Sequence, residues 1–586
     1  MPTRRSGRRK ALLGAVVFVL VVGGVGLRLL TVASSAAGHL QRAAALAGEL
    51  ETQLRAGDLR AARETAADLR RQTGAAHADT RGPSWWLGSS LPVAGDDLDA
   101  VSAVAAAVDA LADRVLPPML DAADGLSATA RQEPSGLSRI REAAPRIAAA
   151  VNVARDARAR LGAVDQDGLD PRVRAAVRQV IAGLDRVAPL LPAAARAASL
   201  LPALLGVDGP RTYLVLFQNL AEVRATGGMP GAFVVLRADH GAIGIVEQGT
   251  AAATLGTFPA PVLPLDPDQE ELHTDRLGRF PADVNLTPDF PTAAALAREM
   301  YRVRSGVSVD GVFATDPVAL SYLLRATGPV PVPSGPALTA ENAVRQLLSQ
   351  VYLTIGAETD QDAYFAGAAR AVFDRLVTRT PVGADLYQAL SRAAGERRLL
   401  AWSARPEEQE AIAGAVFAGT LPADDGDRPT VGVFLNDGTG AKLGYYLTRS
   451  VELSVGPCLE DGSRQLGLVV TLGSNAPRAG LPRSVLGLGL AGAYTVRTNV
   501  MVYAPTGGTP VAAVQDGVPV DFGTGDDKGR TVAVLTVDLA PGARSTVKLA
   551  LITGPLHGGR VTPRLVTTPG IGPWAVQVRP GEACSK

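Results

Sequence analysis

Residues 213–236 read YLVLFQNLAEVRATGGMPGAFVVL. Residues 213–217 are a continuous apolar run, the pattern of a strand buried on both faces. Residues 232–236 have the same character. The stretch between them, 218–231, combines an amide, a carboxylate, a cation, a hydroxyl and paired glycines, which predicts a polar loop joining two strands. Asp239, His240 and Gly241 supply a hairpin turn, and residues 242–246 return as a third strand. Further on, residues 291–302 predict a helix with proline at its start, and residues 309–314 another strand. Asp316 stands in N-cap position before a helix ending near Thr327. Helices are also predicted over 339–353 and 362–376. Strands mixed with helices in this way predict an α/β domain with a mixed sheet over residues 207–415.

Upstream, residues 36–205 predict a helical stalk. Leu40, Leu46, Leu50, Leu54 and Leu59 recur at roughly helical spacing, and alanine, the strongest helix former, is abundant. Breaks fall at residues 82–88, 117–118, 134–136 and 167–168. The pair Trp85–Trp86 suits either a membrane interface or aromatic packing at a helix junction. Before the stalk, residues 1–10 form a basic tail and residues 11–30 an apolar run interrupted by Arg28. About 20 apolar residues span a bilayer, so a transmembrane helix is predicted over 11–30. A cleaved signal peptide is the alternative. The positive-inside rule then places the N-terminus in the cytoplasm and the bulk of a single-pass protein outside it.

Downstream, short strands recur at 430–435, 444–453, 465–472, 494–503, 531–539 and 545–553, separated by turns such as Asn436-Asp437-Gly438. This predicts a β-sandwich over 430–586. The two cysteines, Cys458 and Cys584, both lie there and predict one disulfide in an exported chain. The expected fold class is therefore multidomain: transmembrane helix, helical stalk, α/β domain and C-terminal sandwich.

The chemistry concentrates in the 218–231 stretch. Arg224 is suited to bidentate phosphate binding. Glu222 is suited to holding a divalent metal or acting as a base, with Asn219 orienting either. Thr226 adds a hydroxyl, and Gly227 and Gly228 allow close backbone approach to a ligand. Asp310 flanks a strand end, where α/β sheets bind ligands. The candidate catalytic residues are Glu222 and Arg224; the candidate binding residues are Asn219, Thr226, Gly227, Gly228 and Asp310. The bland alternative is that these side chains brace a tight loop through mutual hydrogen bonds. The chain has no GxxxxGK[ST], HExxH or GxSxG motif. Its five histidines are scattered, so no multi-histidine metal site is expected, and its formal charge of +1 gives no basis for nucleic-acid binding.

The stretch beginning at Tyr213 resembles the signature of an uncharacterised bacterial envelope family common in actinobacteria, domain of unknown function 4012. Residues 309–320, 326–330 and 435–443 fit the same family. More distantly, the order of strand, arginine-bearing loop, strand and hairpin strand is similar to that of the LytR–CpsA–Psr transferases. That resemblance implies arginines on a polyprenyl pyrophosphate and an acid with magnesium. Arg224 matches the first arginine-bearing loop, and Arg345 and Arg370 stand nearest to the later arginines. The acid that follows the arginine in those enzymes is absent; Thr226, Gly227 and Gly228 stand there. The expected function is an envelope protein that binds a glycopolymer, a lipid-linked carrier or an assembly partner, with the lipid bilayer met through one helix. A carrier-linked polymer transferase or hydrolase and a pure scaffold are the alternatives. Magnesium is the one cofactor the resemblance suggests.

Overall fold

The structure is a computed structural model. It describes residues 5–582 apart from 93, 131–132, 134, 334, 380–383 and 557–558; the side chains of residues 5–26, 130, 377–379 and 384 also lie outside the described residues. The chain divides into two compact units, residues 1–209 with 239–242, and residues 210–238 with 243–586.

The first unit is helical: α1 (Arg5–Ala56), α2 (Leu59–Asp79), α3 (Pro83–Ser89), α4 (Gly95–Arg114), α5 (Leu116–Ala130), α6 (Ser135–Gly162), α7 (Pro171–Val187) and α8 (Leu191–Leu204). Capping sets several starts. Asp58 accepts from Ala61 N at α2, and Asp170 accepts from Arg172 N at α7, which also has proline in its first turn. The interior is built largely from alanine. Ala100, Ala107, Ala150, Ala154 and Ala157 pack with Leu161, Leu184 and Leu191, small residues that let helices approach closely. Trp85 is buried and its indole N–H donates to Leu98 O at 3.2 Å, whereas Trp86 is 69% exposed.

The membrane expectation is corrected here. Among the described residues, the stretch long and apolar enough to cross a membrane is Pro171–Leu204, not the N-terminal run. The side chains of residues 11–26 lie outside the described residues, and the location and orientation built on a span at 11–30 fall with it. The sequence reading asked for an uninterrupted uncharged run. Residues 187–204 contain one charge, Arg196, and were passed over for that reason.

The second unit holds three open sheets. The first has the order β3-β2-β1-β4-β5, with β1 (Arg211–Arg224), β2 (Gly227–Asp239), β3 (Ala242–Thr250), β4 (Gly311–Thr315) and β5 (Leu400–Ser403). β1 pairs antiparallel with β2 and parallel with β4. Leu214, Leu216, Phe233 and Val235 of this sheet pack on α11 (Phe290–Ser305) through Ala293, Leu296, Ala297 and Met300. Before it come α9 (Pro267–His273) and α10 (Arg276–Arg279); after it, α12 (Pro317–Thr327) starts at Asp316, whose carboxylate accepts from Ala319 N at 2.8 Å.

The remaining strands are β6 (Thr430–Asp437), β7 (Leu447–Cys458), β8 (Arg464–Ser474), β9 (Val496–Tyr503), β10 (Thr509–Gln515), β11 (Val518–Val520), β12 (Gly523–Asp527), β13 (Arg530–Leu539), β14 (Arg544–Ile552), β15 (Arg564–Thr567) and β16 (Ala575–Arg579). They form a six-stranded sheet, β11-β10-β14-β8-β7-β16, and a five-stranded sheet, β12-β13-β9-β6-β15. The fold class is thus multidomain α+β, and the expected sandwich is corrected to two open sheets. The alternation of short strands was real, but it did not reveal β10, β11 and β12, which lie between two of the expected strands, nor β15 and β16. The last two pair parallel with β6 and β7 respectively, and parallel partners distant in sequence leave no hairpin signature.

Candidate functional site

The 218–231 stretch is not a loop. β1 runs on to Arg224 and β2 begins at Gly227, so the turn is Ala225-Thr226 alone. Pairing persists because two register shifts, at Phe217/Gln218 and between Asn219 and Val223, absorb the polar residues. The tip of this hairpin enters the cores beyond its own sheet. Leu220 and Ala221 pack with Val318 and Leu348, and Ala225 packs with Phe434, Met501, Tyr503 and Val532.

Its polar groups are matched one by one. Gln218 Oε1 accepts from Thr226 Oγ1 at 3.3 Å and from Gly228 N at 3.1 Å. Asn219 donates to the Tyr352 hydroxyl at 2.7 Å and accepts from Ala221 N. Asn285 Nδ2 donates to Thr226 Oγ1 and Gly228 O at 2.9 and 2.7 Å. Asn436 accepts from Ala225 N at 2.9 Å, and Thr568 donates to Ala225 O.

The charged centre is Arg224, which is 5% exposed, as is Glu222. Its Nη2 donates to Glu222 Oε1 at 2.8 Å and to Asp283 Oδ1 at 2.9 Å. Arg276 reaches the other Asp283 oxygen at 2.6 Å, and Lys442 Nζ lies 3.7 Å from Glu222 Oε2. Among the described residues Arg224 Nε is left without a partner. Asp437 completes the group and accepts from the backbone N–H of Thr439, Gly440 and Ala441. Three cations therefore face three carboxylates. Burial alone would lower the Arg224 pKa, but Glu222, Asp283 and Asp437 outweigh it and hold the guanidinium above its ordinary value. Asp437 is pushed up, chiefly by burial, against the pull of Arg224 and its amide donors.

The two glycines serve packing. A Cβ on Gly228 would lie 2.2 Å from Asn219 O, and one on Gly227 (φ +140°) would lie 2.7 Å from Gln218 Oε1. The space that a ligand would need beside them is filled by this chain. Asp310 lies near the opposite end of β1, accepting from Thr212 N at 2.9 Å and facing Arg211. β1 is fourteen residues long with Arg224 at its far end, about 40 Å away at strand rise, so the structure does not bring Asp310 to the cluster. Arg345 and Arg370 are exposed and do not pair with it. The Glu222 and Asp283 carboxylates are already engaged by cations, a donor set that does not fit magnesium. Among the described residues no group of three or more His, Cys, Asp or Glu is arranged to hold a metal. Cys458 is disulfide-bonded; Cys584 lies outside the described residues.

Sequence reasoning missed Asp283, Asn285 and Arg276, which sit in stretches without periodic signal, and Tyr352, which lies at the end of the helix predicted over 339–353 with nothing to tie it to Asn219. Asn436, Asp437 and Lys442 were in view, as a turn and a family-like segment, but nothing tied them to Arg224. Two other buried polar groups stand apart. Arg398 pairs with Asp316 at 2.9 Å and Glu396 at 2.7 Å. His273, at the end of α9, is 6% exposed with no partner on Nε2 among the described residues, and burial lowers its pKa to about 4. α9 meets β12 at this point: Gln269 donates to Asp527 at 2.9 Å, and Asp527 accepts from the Tyr503 hydroxyl.

Residues 208–352 match the family described as protein of unknown function DUF4012. The DUF4012 segment includes Asn219, Glu222, Arg224, Asp283 and Tyr352, and ends before Asn436, Asp437 and Lys442. Its description names neither an organism nor an activity. No curated protein matches the chain. Among solved structures, the chain is similar to one described as the transcriptional regulator yvhJ from Bacillus subtilis, with 11% identity over 35% of this chain and 77% of that chain. The TM-score is 0.22, too low to carry an argument.

Proposed function

We propose that this is an envelope-associated protein that acts by binding an envelope glycopolymer or an assembly partner, and that the Arg224 cluster is its internal brace. The DUF4012 match supports the envelope association, and the apolar stretch Pro171–Leu204 is consistent with contact with a bilayer. The observation that carries the brace is the balance of three cations against three carboxylates around a guanidinium with 5% exposure. A site for pyrophosphate needs an excess of accessible cations; this cluster has no excess, and its one well-exposed cation, Arg276, is engaged by Asp283. Its role is to lock the β1–β2 hairpin to β6 and to the segment carrying Asp283.

One observation favours the rival transferase reading. Lys442, beside Glu222, also lines a surface cleft with Tyr445 and Tyr446. Calorimetry of the full chain with farnesyl pyrophosphate, with and without magnesium, separates the two. The brace predicts no saturable heat and a large loss of stability in Arg224→Gln. Saturable binding by the wild type that Lys442→Gln abolishes without loss of stability would overturn it.

A further inference from the structure

Residues 462–515 contain no aspartate or glutamate. Within them, the connection from β8 to β9 carries two exposed arginines, Arg478 and Arg483, and a glycine-rich tip. On that tip Leu488 is 78% exposed and Leu490 is 65% exposed. A leucine pair at such exposure loses free energy in water, and nothing among the described residues covers it.

The tip is held out by its own construction. Val485 is buried in a core cluster with Leu443, Val496 and Leu535, and its carbonyl accepts from Lys442 N at 2.8 Å. Leu481 N donates to the Tyr494 hydroxyl at 3.3 Å, which closes the base of the connection. Gly487 and Gly489 take φ of +62° and +65°, and a Cβ on Gly487 would lie 2.7 Å from Gly440 O. Those left-handed turns direct the chain past Leu488 and Leu490 without folding either back onto the core. At the foot of the tip, a shallow depression is lined by Val485, Tyr445, Tyr446, Lys442 and Leu353, the last 44% exposed.

We infer that the 481–494 connection is a membrane-surface contact whose leucine tip enters the outer part of a bilayer bearing anionic lipids. Exposed leucines at the point, tyrosines behind them and cations flanking them are the order of groups that an interface offers partners for: acyl chains, then the headgroup boundary, then anionic phosphates. Residues 462–515 contribute no acid to such a surface, and Asp437, in the loop that Gly487 packs on, is held by its amide donors. A protein partner is less well matched, because the point of the tip offers two leucines alone, Tyr494 being engaged at the base of the connection by Leu481 N. This contact is independent of Pro171–Leu204 and of the Arg224 brace.

The test uses the full chain with its disulfide oxidised, reconstituted in vesicles of phosphatidylcholine alone or with phosphatidylglycerol. An environment-sensitive fluorophore is placed on Ala493→Cys, with the exposed Thr524→Cys on β12 as the control. The expected result is a blue shift and quenching by brominated lipid at 493, stronger with phosphatidylglycerol, and neither at 524. Leu488→Ser and Leu490→Ser should each lower the inserted-to-free ratio about tenfold, and Arg478→Gln and Arg483→Gln about fivefold each at low salt. An unchanged melting temperature shows that these exposed substitutions leave the fold intact. No shift on either vesicle, equal shifts at 493 and 524, or a shift that grows with protein concentration without lipid, as a second copy would give, overturns the inference.

Discussion

His273 makes the stability of the second unit depend on pH in a calculable way. Its pKa is lowered from an ordinary 6.5 to about 4 by burial alone, with no charged neighbour contributing. The folded state therefore keeps the ring neutral where the unfolded chain binds a proton. A lowered base favours the unfolded state on acidification, so its stabilising contribution is intact above pH 6.5 and is lost as pH falls towards 4. At 1.36 kcal/mol per pKa unit, the loss attributable to His273 is about 2 kcal/mol at pH 5 and about 3 kcal/mol at pH 4. The perturbation is His273→Gln, which keeps a polar side chain but cannot take up the proton. Urea unfolding followed by tryptophan fluorescence, from pH 4 to 7.5, measures both proteins. The wild type should lose that much more stability than the variant, so the curves converge or cross on acidification. Carboxylates raised by burial, such as Asp316, Asp437 and Asp527, titrate in both proteins and cancel in the difference. Parallel curves between pH 4 and 6.5 would refute the argument, as would a His273 imidazole titrating near 6.5 by NMR.

Arg224→Met should cost about 3 kcal/mol, because it removes the guanidinium that Glu222 and Asp283 share and leaves these buried carboxylates only Lys442 at 3.7 Å and Arg276 at 2.6 Å; the loss should show as a lower urea midpoint at pH 7 and shrink when Glu222→Gln is added. Gly228→Ala drives a methyl to 2.2 Å from Asn219 O, and should cost at least the 1–3 kcal/mol typical of overpacking, checked by the same unfolding curves. Arg497→Ala, by contrast, breaks a bidentate pair with Asp538 at 2.8 and 2.7 Å in which both side chains are part-exposed to solvent, and the melting temperature should move by no more than a degree or so, about what a surface pair is worth.

What could be read from the sequence was what repeats locally. The apolar runs at 213–217 and 232–236, the proline that opens α11 and the Asp316 cap each announce themselves within a few residues. Arg224 and Glu222 were recognisable as unusual for the same reason: charges sit between two apolar runs. Their meaning was not, because the partners that neutralise them come from Asp283, Arg276 and Lys442, joined only by the fold. Without those partners, a buried brace and an anion site look alike. Gly227 and Gly228 mislead in the same way. Glycine marks a close approach, and only coordinates tell whether a ligand or Asn219 O makes it. The membrane assignment failed on a different point: a charge-free run marks a span only in its simplest form, and the 187–204 window keeps its apolar character around one arginine, Arg196.

The parallel strands β15 and β16 have a consequence for the order in which the protein is made. Residues 430–433 and 450–454 reach their edge partners only when residues 564–567 and 575–579 have been synthesised. At about 5–20 residues per second this is a delay on the order of ten seconds. Throughout it, β6 and β7 each present an open ladder of N–H and C=O groups, ready to pair with any other extended chain. The nascent protein is thus most exposed to mispairing just before synthesis reaches these segments. The strands that arrive last act as a closing seal, and a ribosome stalled before residue 564 leaves both edges open.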